Sequence, residues 1–204
     1  MNFTETCSNF IEGIKATTPL EFVAVVFGII SVLYSRKENI LVYPTGIIST
    51  VLYIYLCFIG KLYAEASVNF YYTVMSIIGW IMWARKKEGE TVLHITKSST
   101  KEWTHCLLFF VGCWVILFLV LRHFTDSIVP LADGFAAASA YTGMWLMAKK
   151  KLENWIWWIV TNVASIPLYY IKGYSFTSFQ FLVLLVLAIA GLITWSKKIQ
   201  HEGH

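Results

Sequence analysis

Two tryptophans and an asparagine stand at helical spacing in the second half of the chain. Trp155, Trp158 and Asn162 occupy positions i, i+3 and i+7, which an α-helix places on one face. Ser165 and Tyr169 continue the stripe along a helix that is otherwise mostly apolar. Such a stripe can bind a flat ring with polar substituents, because indoles stack on π-faces and an amide both donates and accepts.

The same stripe is also typical of a packed aromatic seam, or of tryptophans at a membrane interface. Asn162 favours a ligand site, because an amide buried in mid-helix needs hydrogen-bond partners. Trp157 points to a different face of the same helix.

The composition indicates a polytopic membrane protein. Of the 204 residues, 57% are hydrophobic and only 14% are charged, whereas a soluble domain carries about a quarter charged residues. The net charge of +4 does not indicate nucleic-acid binding, since the basic residues lie in gaps between apolar runs and form no stripe. The lipid bilayer is therefore the expected surrounding.

The apolar runs predict an all-α protein with seven transmembrane helices. We expect these helices at residues 19–34, 40–58, 62–84, 103–121, 130–148, 155–171 and 177–195. The longest polar gap, residues 88–101, is expected to be a loop.

The distribution of basic residues predicts the orientation. With the N-terminus outside, the cytoplasmic segments hold 12 of the 16 basic residues and the outside segments hold 4. The positive-inside rule therefore places the N-terminus outside and the C-terminus in the cytoplasm.

An internal repeat is visible between helices 2–3 and helices 6–7. At an offset of 112, Gly79 and Trp83 match Gly191 and Trp195. Helix 2 matches helix 6 at an offset of 116, where for example Ser49 falls on Ser165. Two copies of a three-helix unit lie parallel only if one further span separates them, which predicts the 3+1+3 arrangement of SWEET transporters.

The expected segments are 1–18, an extracytoplasmic N-terminal segment; 19–87, repeat 1; 88–129, the loop and linker helix 4; 130–198, repeat 2; and 199–204, a cytoplasmic tail.

The repeat would bring helices 2, 3, 6 and 7 around one cavity, and four polar side chains are candidates to line it. Helix 3 offers Asn69 and Thr73, helix 7 offers Gln180, and helix 2 offers Ser49. The amides are the stronger candidates, because a hydroxyl in a helix often bonds its own backbone.

The sequence offers little support for catalysis or metal binding. The five histidines are scattered over loops, helix ends and the tail, and none belongs to a hydrolase or metalloprotease motif. The four cysteines form no C-x-x-C pair. We expect no catalytic residue, no metal and no cofactor. Because no Arg or Lys lies within a predicted span, a phosphate would have no partner there.

The stripe and its surroundings resemble the PnuC family of bacterial vitamin transporters. The family motif W-x-x-W-x-x-x-N corresponds to Trp155, Trp158 and Asn162, and the resemblance runs from about Glu21 to Trp195. It implies uptake of nicotinamide riboside across the inner membrane by facilitated diffusion, with phosphorylation in the cytoplasm keeping uptake downhill. It also implies a homotrimer. Thiamine, another aromatic cation, satisfies the same physics and stays the alternative substrate.

One proline lies inside the sixth helix. Pro167 follows Asn162 by five residues and cannot donate to the carbonyl of Val163, so we expect a bend there. The bend either moves during gating or only shapes the cavity.

Overall fold

Seven α-helices carry most of the chain in a computed structural model that describes residues 18–59, 63–87, 90–91 and 93–202. Their number confirms the all-helical prediction. Most of the predicted N-terminal segment, residues 1–17, and the last two residues of the predicted tail lie outside the described residues. The helices are α1 Pro19–Arg36, α2 Val42–Ile59, α3 Tyr63–Ala84, α4 Thr100–Phe124, α5 Pro130–Ala148, α6 Asn154–Ile171 and α7 Ser175–Glu202.

Local signals explain where several helices begin. Thr18 caps α1, its Oγ1 accepting from the backbone N–H of Glu21 at 3.2 Å, and Pro19 opens the helix. Ser99 and Glu102 form a capping box that starts α4 at Thr100, three residues earlier than hydropathy predicts. The helix begins earlier than predicted because a capping box, and not the first apolar residue, sets its start.

The polar segment between α3 and α4 is not a plain loop. Its strands β1 Lys86–Lys87 and β2 Glu90–Thr91 form a short antiparallel pair. Farther along, the backbone of Thr96 bonds the turn before α6, donating to the Lys150 carbonyl and accepting from the N–H of Leu152. The segment therefore packs across the turn that joins α5 to α6. We call the end of the bundle with this turn, residues 37–41 and the described residues 85–87, 90–91 and 93–99 the basic end.

Four helices are long and apolar enough, by length and composition, to cross a membrane among the residues searched. They are α1, α2, α4 and the Thr177–His201 part of α7. The other three carry more polar residues, and α5 has 11 of its 19 residues buried. In α6 the polar residues Asn154, Thr161, Asn162 and Ser165 are buried, as polar side chains within a bilayer should be.

The helices pack in a reciprocal pattern. Helix α2 packs between α1 and α3, α6 packs between α5 and α7, and α4 packs on α5. Between these groups, α3 contacts α5 and α1 contacts α7. If α1, α2 and α3 correspond to α5, α6 and α7, these two contacts are equivalent.

The backbone of the two groups corresponds at one constant offset in the numbering. Helices α2 and α6 begin and end at positions related by the same offset of 112. The turn before each repeats as well: the N–H of Tyr43 bonds the Ile40 carbonyl at 3.2 Å, and the N–H of Trp155 bonds the Leu152 carbonyl at 3.2 Å.

The offset of 116 inferred from sequence for α2 and α6 is therefore wrong. The structure matches Ser49 with Thr161, not with Ser165. A shift of four residues is about one helical turn, so it keeps each residue near its own face and imitates a true match.

Candidate functional site

Trp158 lies in a cluster of rings contributed by three helices. Its indole centroid is 6.4 Å from the ring of Tyr72, and Tyr72 lies 6.2 Å from Tyr141 in an edge-to-face arrangement. Tyr71 packs against Tyr141 at 4.1 Å, and its hydroxyl donates to the Tyr141 carbonyl at 3.1 Å. We call Trp158, Tyr71, Tyr72 and Tyr141 the aromatic cluster. Its four side chains are partly exposed, and aromatic rings of this kind can stack on a flat or cationic ring.

Gly143 allows Trp158 to lie close to α5. A Cβ added at Gly143 would lie 3.3–3.4 Å from the fused-ring carbons of that indole. The indole therefore rests on bare backbone, which fixes its distance from the helix.

Buried and half-buried polar side chains lie on α2, α3 and α6. Asn162, one turn beyond Trp158, is 3% exposed. It corresponds at the offset of 112 to Thr50, whose hydroxyl oxygen is 2.7 Å from that of Thr73. Thr73 also donates to the backbone carbonyl of Asn69, and the Asn69 side chain is half-buried. These groups carry no formal charge.

Gln180 lies farther toward the end of the bundle opposite the basic end. Its side chain lies beside that of Tyr53 on α2. Beside it, the ring of Phe181 stacks on Tyr169 at 5.1 Å. This layer continues the polar and aromatic character of the cluster along the bundle.

Trp155 occupies a different environment from Trp158, although both lie on one face of α6. It is 1% exposed and meets Trp195 edge-to-face at 5.6 Å. A Cβ at Gly191 would lie 2.6 Å from its ring carbons, so the indole is pressed against α7. Trp155 is thus a core residue in this structure, nearer the basic end.

Ser49 of α2 and Trp157 of α6 also pack between helices. The Ser49 hydroxyl donates to the Ala24 carbonyl at 2.8 Å, which ties α2 to α1. Trp157 is buried against Phe110 of α4, with ring centroids 4.8 Å apart. Of the predicted site residues, Trp158 belongs to the aromatic cluster and Asn162 is buried one turn farther along α6, whereas Ser49 and Trp155 pack against neighbouring helices.

Pro167 lies inside one continuous helix, Asn154–Ile171, and is exposed. The carbonyl of the preceding residue, Ile166, accepts a hydrogen bond from the Ser178 hydroxyl of α7 at 2.8 Å. The backbone next to the proline is therefore bonded to the neighbouring helix.

Two clefts open elsewhere on the molecule. One, of about 490 Å³, lies between α4, α5 and α6 beside Trp114 and Pro130; the other, of about 340 Å³, lies at the basic end beside Glu102, Lys149 and Lys151. Both lie outside the aromatic cluster, and none of the predicted site residues lines either of them.

The sequence reasoning missed the tyrosines of the cluster. Tyr72 and Tyr141 come from α3 and α5, and no spacing along α6 indicates which rings face Trp158. A comparison of α2 with α6 at the offset of 112 would have helped, because it matches Asn162 with Thr50 and draws attention to α2 and α3.

A comparison with protein-family models places most of the chain in one family. The model described as nicotinamide mononucleotide transporter matches residues 18–197.

Curated relatives include transporters of two vitamins. The chain is 28% identical over 200 residues to a nicotinamide riboside transporter, PnuC, of Neisseria mucosa, covering 90% of this chain and 74% of that protein. It is 20% identical over 178 residues to a riboflavin/roseoflavin transporter, RibM, of Streptomyces davaonensis, covering 86% of this chain and 83% of the relative.

A solved structure shares the fold. The crystal structure of the vitamin B3 transporter PnuC matches with a TM-score of 0.74 at 24% identity, covering 97% of this chain and 89% of that one.

Proposed function

Because the chain belongs to the nicotinamide mononucleotide transporter family, we propose that it carries nicotinamide riboside across the bacterial inner membrane. The observation that supports this substrate is the aromatic cluster around Trp158, beside uncharged polar groups on Asn162, Thr50 and Thr73. A pyridinium ring can stack in the cluster as a cation on π-faces. The ribose hydroxyls and the carboxamide can bond amides and hydroxyls in both senses.

The riboside suits this site better than the phosphorylated nucleotide that the family description names. A phosphate is held best by Arg or Lys. In the described structure, the buried Lys150 pairs with Glu38 at 2.7 Å, and Lys172 pairs with Asp133 at 2.5 Å. Both lysines already have a carboxylate partner, and both lie at the ends of helices rather than beside Trp158.

We propose facilitated diffusion rather than ion coupling. The described helices carry their acids in the first or last turn, as Glu21, Glu65, Glu102, Asp133 and Glu202 do. A proton relay would need carboxylates through the middle of the spans. Trapping by phosphorylation in the cytoplasm would then keep the gradient of the free riboside directed inward.

The proposal includes an orientation and an architecture. The basic end carries most of the lysines and arginines and is taken as cytoplasmic, with the N-terminus outside. Helices α1–α3 and α5–α7 are taken as parallel repeats joined by α4, as in SWEET transporters. The constant offset of 112 and the reciprocal α1–α7 and α3–α5 contacts support this arrangement.

We propose the homotrimer that the resemblance implies. The outer face of α4 exposes large apolar side chains, including Leu108 at 67% and Ile116 at 62%, which suits lipid or a neighbouring copy. Light scattering of the purified protein with the detergent contribution subtracted measures the protomer number; a monomer would contradict this part alone.

Substrate choice is tested by competition for binding. Purified protein is titrated with nicotinamide riboside, and then with nicotinamide mononucleotide, thiamine and riboflavin as competitors. We expect the riboside to bind and the mononucleotide to bind at least about tenfold more weakly, because Lys150 and Lys172 are already paired and do not reach its phosphate. Equal competition by the mononucleotide would contradict the riboside assignment, and tighter binding of thiamine or riboflavin would support another vitamin of this class.

A further inference from the structure

Three pairs of equivalent residues touch one another at the basic end. The Ser35 hydroxyl lies 3.3 Å from the sulfur of Met147, and the rings of Trp83 and Trp195 lie 6.3 Å apart. Glu38 and Lys150 form an ion pair at 2.7 Å. Each pair is related by the offset of 112 that relates the two halves. Equivalent positions of two related units meet only near the axis that relates them. These contacts therefore lie on that axis and fill the space between the two halves at the basic end.

Two reciprocal hydrogen bonds tie the halves at the same level. The indole of Trp83 donates to the carbonyl of Ala148 at 3.2 Å, and the indole of Trp195 donates to the carbonyl of Arg36 at 3.2 Å. Both acceptors lie at the C-terminus of the first helix in the opposite half, and the same offset relates them. The basic end is therefore shut by an indole pair beneath an ion pair.

At the ion pair, equivalent positions of the two halves carry different residues. Glu38 and Lys150 share the same left-handed backbone, with φ of 56° and 51°, yet carry opposite charges. Identical residues would place two like charges on the axis, where they would repel. Opposite charges attract instead, and the Lys150 side chain is 5% exposed.

Neighbouring groups strengthen this arrangement. The ammonium of Lys150 lies 4.6 Å from the centre of the Trp83 ring, and Lys198 of α7 forms a second ion pair with Glu38. Burial alone would raise the pKa of Glu38, but hydrogen bonds from both lysines outweigh it and lower that pKa, so the carboxylate stays ionised at neutral pH. Loss of the anion would leave a buried lysine beside a second cation.

We propose that Glu38 and Lys150 are the gate residues that hold the basic end shut, and that the pair must part before a solute can leave along the axis. The gate rests on the proposed transport function, since a gate matters only if something crosses. Its charges sit on the axis, so a passage between the halves cannot open while they remain paired.

The test measures how fast a buried reporter reacts from the basic end. Met144 is 6% exposed and lies one turn deeper in α5 than Ala148. Met144→Cys is made in a protein whose four native cysteines are replaced by alanine. Sealed inside-out membrane vesicles, which expose the cytoplasmic side, are labelled with an impermeant maleimide. Glu38→Gln should speed labelling at least about tenfold, because the shut state loses its counterion.

Charge reversal separates a gate from a damaged fold. Glu38→Lys and Lys150→Glu should each speed labelling, and the double variant should return it toward the slow rate of the parent. Asp133→Asn is the matched control, because it removes an ion pair to Lys172 at the other end of the bundle. Unchanged labelling in Glu38→Gln, or no recovery in the double variant, would overturn the proposal.

The outcome is distinguishable from failure of the proposed function. Binding of nicotinamide riboside is measured on the same variants. If labelling follows the charges while the riboside does not bind, the gate stands and the substrate assignment fails.

Discussion

Trp158 is the residue on which the proposed site depends most. Its indole rests on the bare backbone of Gly143 and faces Tyr72, so its position is set by packing and not by its own rotamer alone. A residue held in this way loses little entropy when a ring stacks on it.

Replacement of Trp158 by alanine should weaken riboside binding by about 1–3 kcal/mol, the scale of one base stacked on one aromatic side chain. Isothermal titration of the purified variants measures the loss. Trp80→Ala is the matched control, since Trp80 is 41% exposed on α3 and should leave affinity unchanged. Equal losses at both positions would remove the stacking role of Trp158.

Trp157 is a poor control, although it differs from Trp158 only in helical face. It is buried against Phe110, so its removal leaves a cavity, and Trp→Ala changes of this kind cost about 3–5 kcal/mol of folding free energy. Spacing predicts that Trp157 and Trp158 point apart. It does not predict that one meets α4 while the other meets Tyr72, because those partners lie elsewhere in the sequence.

At the scale of the element, α6 contributes to the core at one end and to the aromatic cluster farther along. Near the basic end, Trp155 packs on Trp195 and Gly191 as core. One turn farther, Trp158 belongs to the aromatic cluster, and the buried Asn162 follows after another turn. A helical stripe read from sequence treats these residues as one surface, whereas neighbouring helices divide it.

The error in the offset that the sequence suggested between α2 and α6 has a related cause. A slip of one turn keeps the apolar and polar faces of α2 and α6 aligned, so identity between residues could not detect it. Backbone hydrogen bonds before each helix detect it, since the turns ending at Tyr43 and Trp155 are the same turn. The helix number, by contrast, follows from apolar runs and was predicted correctly.

The Pro167→Ala variant tests whether the part of α6 beyond the proline moves during transport. Pro167→Ala restores a backbone donor toward the Val163 carbonyl and should stiffen the helix. If the proline acts in gating, riboside exchange across the membrane slows while affinity stays within about tenfold, or 1.4 kcal/mol. Exchange is measured in proteoliposomes.

Pro130→Ala is the control for that variant, because Pro130 opens α5, where no backbone donor is required. Unchanged exchange in Pro167→Ala would leave the proline only the role of shaping the cavity.

At the scale of the whole molecule, the two halves build one closed bundle whose basic end is held by contacts between equivalent residues. At this end a glutamate in one half faces a lysine in the other. The charge pairing was not predictable, because a wrong offset hides the equivalence of Glu38 and Lys150.

Orientation is tested by labelling from each side. Cysteines are placed singly at Lys37 and at Asp126, both exposed, in the protein whose native cysteines are replaced by alanine. An impermeant thiol reagent added to intact cells should label the Asp126→Cys protein, and should label the Lys37→Cys protein only after the membrane is opened. The reverse pattern would overturn the orientation and make the basic end extracellular.

Counterflow tests the central claim most directly. Proteoliposomes loaded with excess unlabelled nicotinamide riboside are diluted into a trace of labelled riboside, with no ion gradient. A facilitator should concentrate the label inside transiently and then let it fall to equilibrium, and Trp158→Ala should reduce this overshoot. Absence of any overshoot in correctly folded, riboside-binding protein, or an overshoot that requires a proton or sodium gradient, would contradict facilitated diffusion of this vitamin.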